Sequence, residues 1–388
     1  MKRIKKLLAD MDKPLLVLTI FMIGYGLLNI VTASSREAVS QDVPLYYYFF
    51  RQSEMLFVAF IGSLFILNIS TKKYDKWSIL AYTLILGILF YLTFSGDAHR
   101  GSKNWIKIAG VKFQPSEFAK PVMIVCTAIL FELFYRKLRT KGINHYNMIG
   151  IILLVGCAFP LIVILQKDLG TAFILLITFG VMFLASPILK IDKFRTIIAV
   201  LITMVIGVLG LMATGHKVFT EEQLSRFNFF NPCSNYEDGG YQVCNGMIAI
   251  NDGGLLGLGI GKSKQKYSYI PEPHTDSVFS IIMEEYGLIF SSILLFMYAI
   301  ILYRILMISS KATTIRGRYM CLGVGTYLFL HILVNLGGLF GLVPLTGVPL
   351  PFLSYGGSFT ISLICSISLV QRVNIETKNE KIKIKGGI

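Results

Sequence analysis

About ten predominantly apolar stretches recur along this chain, with cores near residues 14–33, 53–71, 77–95, 117–135, 147–165, 170–188, 196–214, 277–303, 319–343 and 352–371. Each holds roughly 18 to 25 residues, enough to cross a bilayer as a helix. In hydrocarbon every backbone N–H and C=O needs a partner from the protein, and a helix supplies it within one segment. The chain is 54% hydrophobic and only 15% charged, where a soluble domain carries about a quarter. The sequence therefore predicts an all-α polytopic integral membrane protein of about ten transmembrane helices, with all 388 residues in one domain.

Charge places the ends. The basic segment Met1–Lys13 leads straight into the first apolar run, which is too long for a signal-peptide core and lacks a small-residue cleavage site, so it reads as a retained spanning helix. With the N-terminus cytoplasmic and every run spanning, the inner segments collect most of the basic residues. They include Lys72, Lys73 and Lys76, then Arg136, Lys137, Arg139 and Lys141, and the tail over about 372–388 with Lys378, Lys381, Lys383 and Lys385. This satisfies the positive-inside rule and puts both termini in the cytoplasm. The net charge of +15 is then a matter of topology, and nucleic-acid binding is not needed to explain it.

The outer side carries the unusual segments. Asn104 to Phe113 alternates apolar and polar residues around Ala109-Gly110, as a small hairpin does. A large extracellular loop over about 215–275 separates the seventh and eighth helices, and loops of that length are rarely without function. Gly341 to Pro351 holds no charge but has three prolines and two glycines, so it cannot be helical; apolar irregular backbone at that depth must line a cavity or be buried in protein. Cys126, Cys157, Cys321 and Cys365 lie in apolar runs and read as packing, while Cys233 and Cys244 share the outer loop and are a disulfide candidate. No Cys or His spacing suited to zinc occurs.

Four groups of residues are candidates for chemistry, each with a structural alternative. Glu117 and Lys120 share a helix face and can pair, either as a lock between helices or as part of a site. Asp168 stands in a tight outer turn just before a helix, where it either caps that helix or binds substrate. Gly253 to Lys266 resembles a phosphate loop only superficially, because Leu256 stands where the first glycine is needed and no strand precedes it; no nucleotide is expected. Its Lys262, Lys264 and Lys266 suit either an anionic substrate or lipid headgroups. Finally His274-Thr275-Asp276 precedes the eighth helix, which carries Glu284-Glu285 roughly 12 Å deeper by the helical rise. A carboxylate there is either a helix cap or, partly desolvated, a general base. His331, with Asn335 one turn on, suits an interhelical hydrogen bond.

Taken in order, several stretches resemble the shape, elongation, division and sporulation (SEDS) family. They are Asn104-Trp105-Ile106 with Phe113 to Glu117; Gln166 to Thr171; Gly240-Tyr241-Gln242 with Asn251 to Gly254; Pro271 to Asp276 with Glu284 to Gly287; and Pro349 to Ser358. The resemblance covers nearly the whole chain. It implies a peptidoglycan glycosyltransferase of the bacterial cytoplasmic membrane that polymerises lipid II at the outer face, beside a class B penicillin-binding protein in an elongation or division complex. Asp276 falls on the family's essential aspartate, the expected catalytic base for the acceptor hydroxyl. Glu117, Lys120, Asp168, Lys262, Lys264, Lys266, His274 and Ser354 complete the expected substrate-binding set. A divalent cation, Mg or Mn, is an expected cofactor near Asp276. Thr346 to Pro351 looks more like the elongation branch. Lys167, where the family usually has proline, Ser277-Val278, and the cysteine pair depart from the pattern. Two rivals are a flippase for lipid-linked wall precursors, which predicts charges along the full depth of the bundle, and a non-catalytic scaffold for the transpeptidase.

Overall fold

The computed structural model describes residues 7–95, 97–99, 102–108, 111–138, 145–213, 231–234, 240–268, 270 and 273–386. The basic residues expected within 1–6 and at 139 and 141, the Ala109-Gly110 turn, most of the loop from 214 to 239, and Pro271-Glu272 lie outside them.

Each of the ten apolar runs forms a helix. In chain order these are α1 (Lys13–Ala33), α3 (Tyr47–Asn68), α4 (Tyr74–Ser95), α5 (Pro115–Leu138), α6 (His145–Leu165), α7 (Leu169–Ala185), α8 (Lys190–Ala213), α11 (Val278–Lys311), α12 (Ile315–Leu339) and α13 (Gly357–Gly386), with short helices α2 (Ser35–Ser40), α9 (Tyr241–Gly253) and α10 (Gln265–Ser268) between them. Eight of the ten are long and apolar enough to cross a membrane, and α7 is a shorter apolar helix of 17 residues. The Asp12 side chain caps α1 through the Leu15 N–H at 3.1 Å, with Pro14 pre-set in the first turn, and Thr314 caps α12 through the Gly317 N–H at 3.1 Å.

The core is α5, α12 and α13. Buried residues make up 67% of the apolar stretch of α5 and 72% of those of α12 and α13, against 17% for α3, whose Phe50, Phe57 and Phe65 face outward as lipid-facing residues do. Small residues allow the tight centre: a Cβ at Gly323 of α12 would stand 2.7 Å from Ile124 of α5 and from Met182 of α7. Both chain ends reach one face, where Gln371 of α13 accepts the Asp12 N–H at 2.8 Å and Lys378 donates to the Asp10 carbonyl at 2.8 Å. An even number of crossings requires this. Arg316 pairs there with Asp75 and Glu132 at 2.7 and 2.8 Å. On the other face, β1 (Asp97–His99), β2 (Ser102–Ile108) and β3 (Val111–Phe113) form an antiparallel sheet in the order β1-β2-β3, with Ile108 opposite Val111, as the alternation there predicts.

One helix is broken. Gly287 interrupts α11 at φ 77, ψ 178, a region open to glycine alone. The carbonyls of Glu284 and Glu285 would normally accept from Leu288 and Ile289. Instead they accept from Leu258 and Gly259 at 2.9 and 3.0 Å, while Leu288 and Ile289 donate to Gly254 and Leu255 at 2.9 and 3.2 Å. The loop after α9 is thus spliced into the hydrogen-bond ladder of α11, so the break leaves none of these four groups bare. A Cβ at Gly287 would lie 2.4 Å from the Gly257 nitrogen. Gly287→Ala is expected to cost about 1–3 kcal/mol from backbone strain before the clash is counted, read as a lower melting temperature in detergent; wild-type melting would refute the splice.

Candidate active site

Segments distant in sequence meet around Asp276 at the outer face. The residue at the N-cap position of α11 is Ser277, which makes no side-chain capping bond, so Asp276 does not cap the helix. Its side chain is 5% exposed. Gln242 of α9 donates from Nε2 to its Oδ1 at 3.1 Å, and Thr275 Oγ1 donates to the same oxygen at 3.2 Å. Its backbone carbonyl accepts from Asn335 Nδ2 of α12 at 2.7 Å, and the same Asn335 amide bonds the Val348 carbonyl at 2.8 Å. The uncharged loop from Gly341 to Pro351 is therefore pinned beside Asp276. Gly347 makes the turn there at φ 70, and a Cβ on it would stand 3.9 Å from Asp276 Oδ2.

The other predicted residues surround this turn in different roles. Glu117 and Lys120 pair at 2.7 Å, both fully enclosed, and Lys120 Nζ also meets His331 Nε2 at 3.0 Å. His331 Nδ1 lies 3.2 Å from the Pro349 carbonyl, so the pair is wired to the same loop that Asn335 holds one helical turn away. Asp168 does cap α7, through the Thr171 N–H at 3.1 Å. Its second oxygen gathers Asn104 at 2.6 Å and Gln114 at 3.2 Å, which ties β2 and the start of α5 to that cap. Gly170, two residues on, packs against Thr346 and Val348.

His274 is buried between the rings of Tyr48 and Tyr355, at centroid distances of 4.7 and 5.4 Å. Burial pushes its imidazole down to about 4, so it is neutral near pH 7. Ser354 is buried, and its Oγ accepts the Leu350 N–H at 2.8 Å, which closes the turn from Pro349 to Ser354.

The three lysines divide. Lys262 and Lys264 are exposed on the spliced loop, but Lys266 is 1% exposed and pairs with Glu285 at 2.7 Å while donating to the Gly261 carbonyl at 2.9 Å. Glu284 accepts from the Lys264 N–H at 2.8 Å and from the Ser263 hydroxyl. The two acids of α11 therefore hold the loop in place, and Lys266 is a member of that brace, not a cation facing outward. Among the described residues no group of three His, Cys, Asp or Glu is placed to hold a metal. Among the described residues Asp276 has a neutral amide and a hydroxyl beside it, fewer oxygen ligands than a resident divalent ion takes.

Cys233 and Cys244 are bonded, which anchors the first turn of α9 just beyond Gln242. Closing a loop of this length contributes about 3 kcal/mol by the chain-entropy argument. Reduction is expected to lower the melting temperature of the wild type but not of a Cys233→Ser, Cys244→Ser double variant; no difference would show the bond to be absent in solution. Gln242 carries little mark of its role in the sequence. It stands in the stretch Gly240-Tyr241-Gln242, but an uncharged amide in a long loop gives no signal of its own until the fold brings it to a carboxylate.

The family model for the cell cycle protein family FTSW_RODA_SPOVE matches residues 13–379. The chain belongs to this family. Among curated relatives of the family, "Probable peptidoglycan glycosyltransferase FtsW" of Bacillus subtilis (strain 168) is 31% identical, over 98% of this chain and 95% of that one. "Stage V sporulation protein E" of the same organism is 30% identical, over 94% and 96%. Solved structures share the fold: a chain of a peptidoglycan synthase complex that coordinates polymerization and crosslinking superposes with a TM-score of 0.71 at 22% identity, covering 95% of this chain and 98% of that one. The rod shape determining protein RodA of Thermus thermophilus does so at 0.65 and 22%, covering 94% and 96%. Family membership and the apolar helices make this a multi-pass protein of the bacterial cytoplasmic membrane.

Proposed function

We propose that this protein is a peptidoglycan glycosyltransferase in which Asp276 is the general base, polymerising lipid II at the outer face for cell elongation or division. The observation that carries the reading is the enclosed Asp276 carboxylate, released from capping and held at the meeting point of α9, α12 and the uncharged outer loop. Asp276 takes the proton from the 4-hydroxyl of the acceptor sugar as that oxygen attacks the anomeric carbon of the lipid-linked donor. The bond from that carbon to the diphosphate oxygen breaks, its electron pair leaves with the lipid diphosphate, and the configuration inverts. Exposed Lys262 and Lys264 are the cations suited to that diphosphate. A divalent ion, Mg or Mn, would come with the diphosphate oxygens rather than rest in a protein cage.

The partner is a class B penicillin-binding protein, a reading supported by the likeness to a chain from a synthase complex. Thr346 to Pro351 favours the elongation branch, while one of the curated relatives cited is named for sporulation.

A flippase is the competing activity. Among the described residues the buried charges form two tiers, Glu117, Lys120, Lys266, Asp276, Glu284 and Glu285 outside and Asp12, Asp192 and Arg316 inside, and the helix segments between them carry no Asp, Glu, Lys or Arg. Purified protein given labelled lipid II is expected to yield glycan chains on a gel. Lipid transfer without glycan would support the flippase. In the same assay EDTA is expected to slow polymerisation and MgCl2 to restore it; an unchanged rate in EDTA would exclude the divalent ion.

A further inference from the structure

We propose that Gln242 is the positioning residue of the reaction: its side-chain amide orients the Asp276 carboxylate and keeps it ionised, and the Cys233–Cys244 disulfide fixes the helix that delivers it. This rests on the reading of Asp276 as base. Gln242 Nε2 is shared between Asp276 Oδ1 at 3.1 Å and Ser277 Oγ at 2.9 Å, so the amide spans the last turn before α11. An N–H donated to a carboxylate favours its charged form, the form a base needs. The amide is neutral, so it does this without the competing positive charge that would also draw the leaving diphosphate.

The delivery is rigid. Cys244 is 3% exposed and bonded to Cys233. Asn245 donates to the Tyr241 carbonyl at 2.8 Å, and a Cβ at Gly246 would lie 2.9 Å from Leu339 of α12, so α9 is packed tightly on the bundle. At its other end Gly253 meets the Met283 carbonyl and the splice into α11 begins. Thus α9 is held at both ends, with Gln242 at the end nearer Asp276.

Among the described residues, the other titratable groups around that turn have partners or settings of their own. His274 is neutral on the same turn; Glu284 is bonded to the loop backbone and Glu285 to Lys266 further along α11; Glu117, Lys120 and His331 are engaged with one another across α5 and α12. Asp252 is exposed at the far end of α9, and the loop from Gly341 to Pro351 has no titratable group.

The test compares pH profiles of lipid II polymerisation for wild type, Gln242→Met, Gln242→Glu and Asp276→Asn. Met keeps the length and apolar stem but removes the donor; Glu puts a second carboxylate at 3 Å scale from the first. The expected result is a kcat lowered about tenfold or more in both Gln242 variants, KM within about threefold of wild type, and an acidic limb displaced upward by about one pH unit in Met and further in Glu. A fold defect alone would lower the amount of active enzyme without moving the limb. Unmoved limbs in both Gln242 variants, with Asp276→Asn inactive, overturn the proposal and leave the base reading standing. An Asp276→Asn enzyme as active as wild type overturns both. If Met and Glu fail to accumulate, Gln242→Asn retains the donor on a shorter arm, and its limb is expected to shift in the same direction; a wild-type limb there also overturns the proposal.

Discussion

Replacing Asp276 with Asn is expected to lower lipid II polymerisation by about 100- to 10,000-fold, the usual weight of a positioned general base. The substitution preserves shape, and an Asn side chain still accepts from Gln242 through its carbonyl oxygen, so the turn and its bond to Asn335 should persist. Melting temperature and expression are therefore expected to match wild type. Gel analysis of products from purified protein checks this. Full activity would remove the base assignment. Thr275 and Gln242 both converge on one oxygen of this carboxylate, and the turn at Gly347 lies beside the other.

Lys266→Met should be the most damaging change to stability. It strands Glu285, which is buried and has Lys266 as its ion-pair partner, and removing one member of a buried pair costs about 3–5 kcal/mol. The damage should be local first: the loop from Gly254 to Lys266 is expected to become open to protease before the bundle melts. The double variant Lys266→Met, Glu285→Gln removes both charges and should recover much of the loss. Thermal melting together with limited proteolysis reads both effects. A single variant that melts like wild type, with the loop still protected, would refute the brace.

The sequence made the bundle legible because apolar length is a one-dimensional signal. All ten runs became helices, and the alternation before Gln114 became paired strands. Glu117 and Lys120 were legible for a similar reason, as their spacing alone puts them on one helical face. Asp168 resolved as a cap that also gathers Asn104 and Gln114, a role whose second half depends on residues more than fifty positions away. Lys266 shows where local reading stops. In a row of lysines on a glycine-rich loop it looked equivalent to Lys262 and Lys264, and only the fold turns it inward to Glu285. Gly287 was hidden as well, because one glycine in an apolar run carries no mark of a broken ladder. Lys167 has φ 64, a conformation closed to proline, so its departure from the family pattern goes with a turn of different geometry.

The order in which the segments of the site occur has a consequence for how the protein is made. Asp168 and Gln242 emerge early, but the loop that completes the turn at Asp276 precedes the last helix. Ser358 and Ser362 of α13 then bond back to Gln114 and Glu117, and Gln52 of α3 to Thr360. A nascent chain with nine helices in the bilayer would thus hold the acid, the amide and the brace while lacking the bonds from α13 that fix Gln114 and Glu117. The surroundings of the Glu117–Lys120 pair are therefore complete only once the last helix is in place and the two chain ends have met.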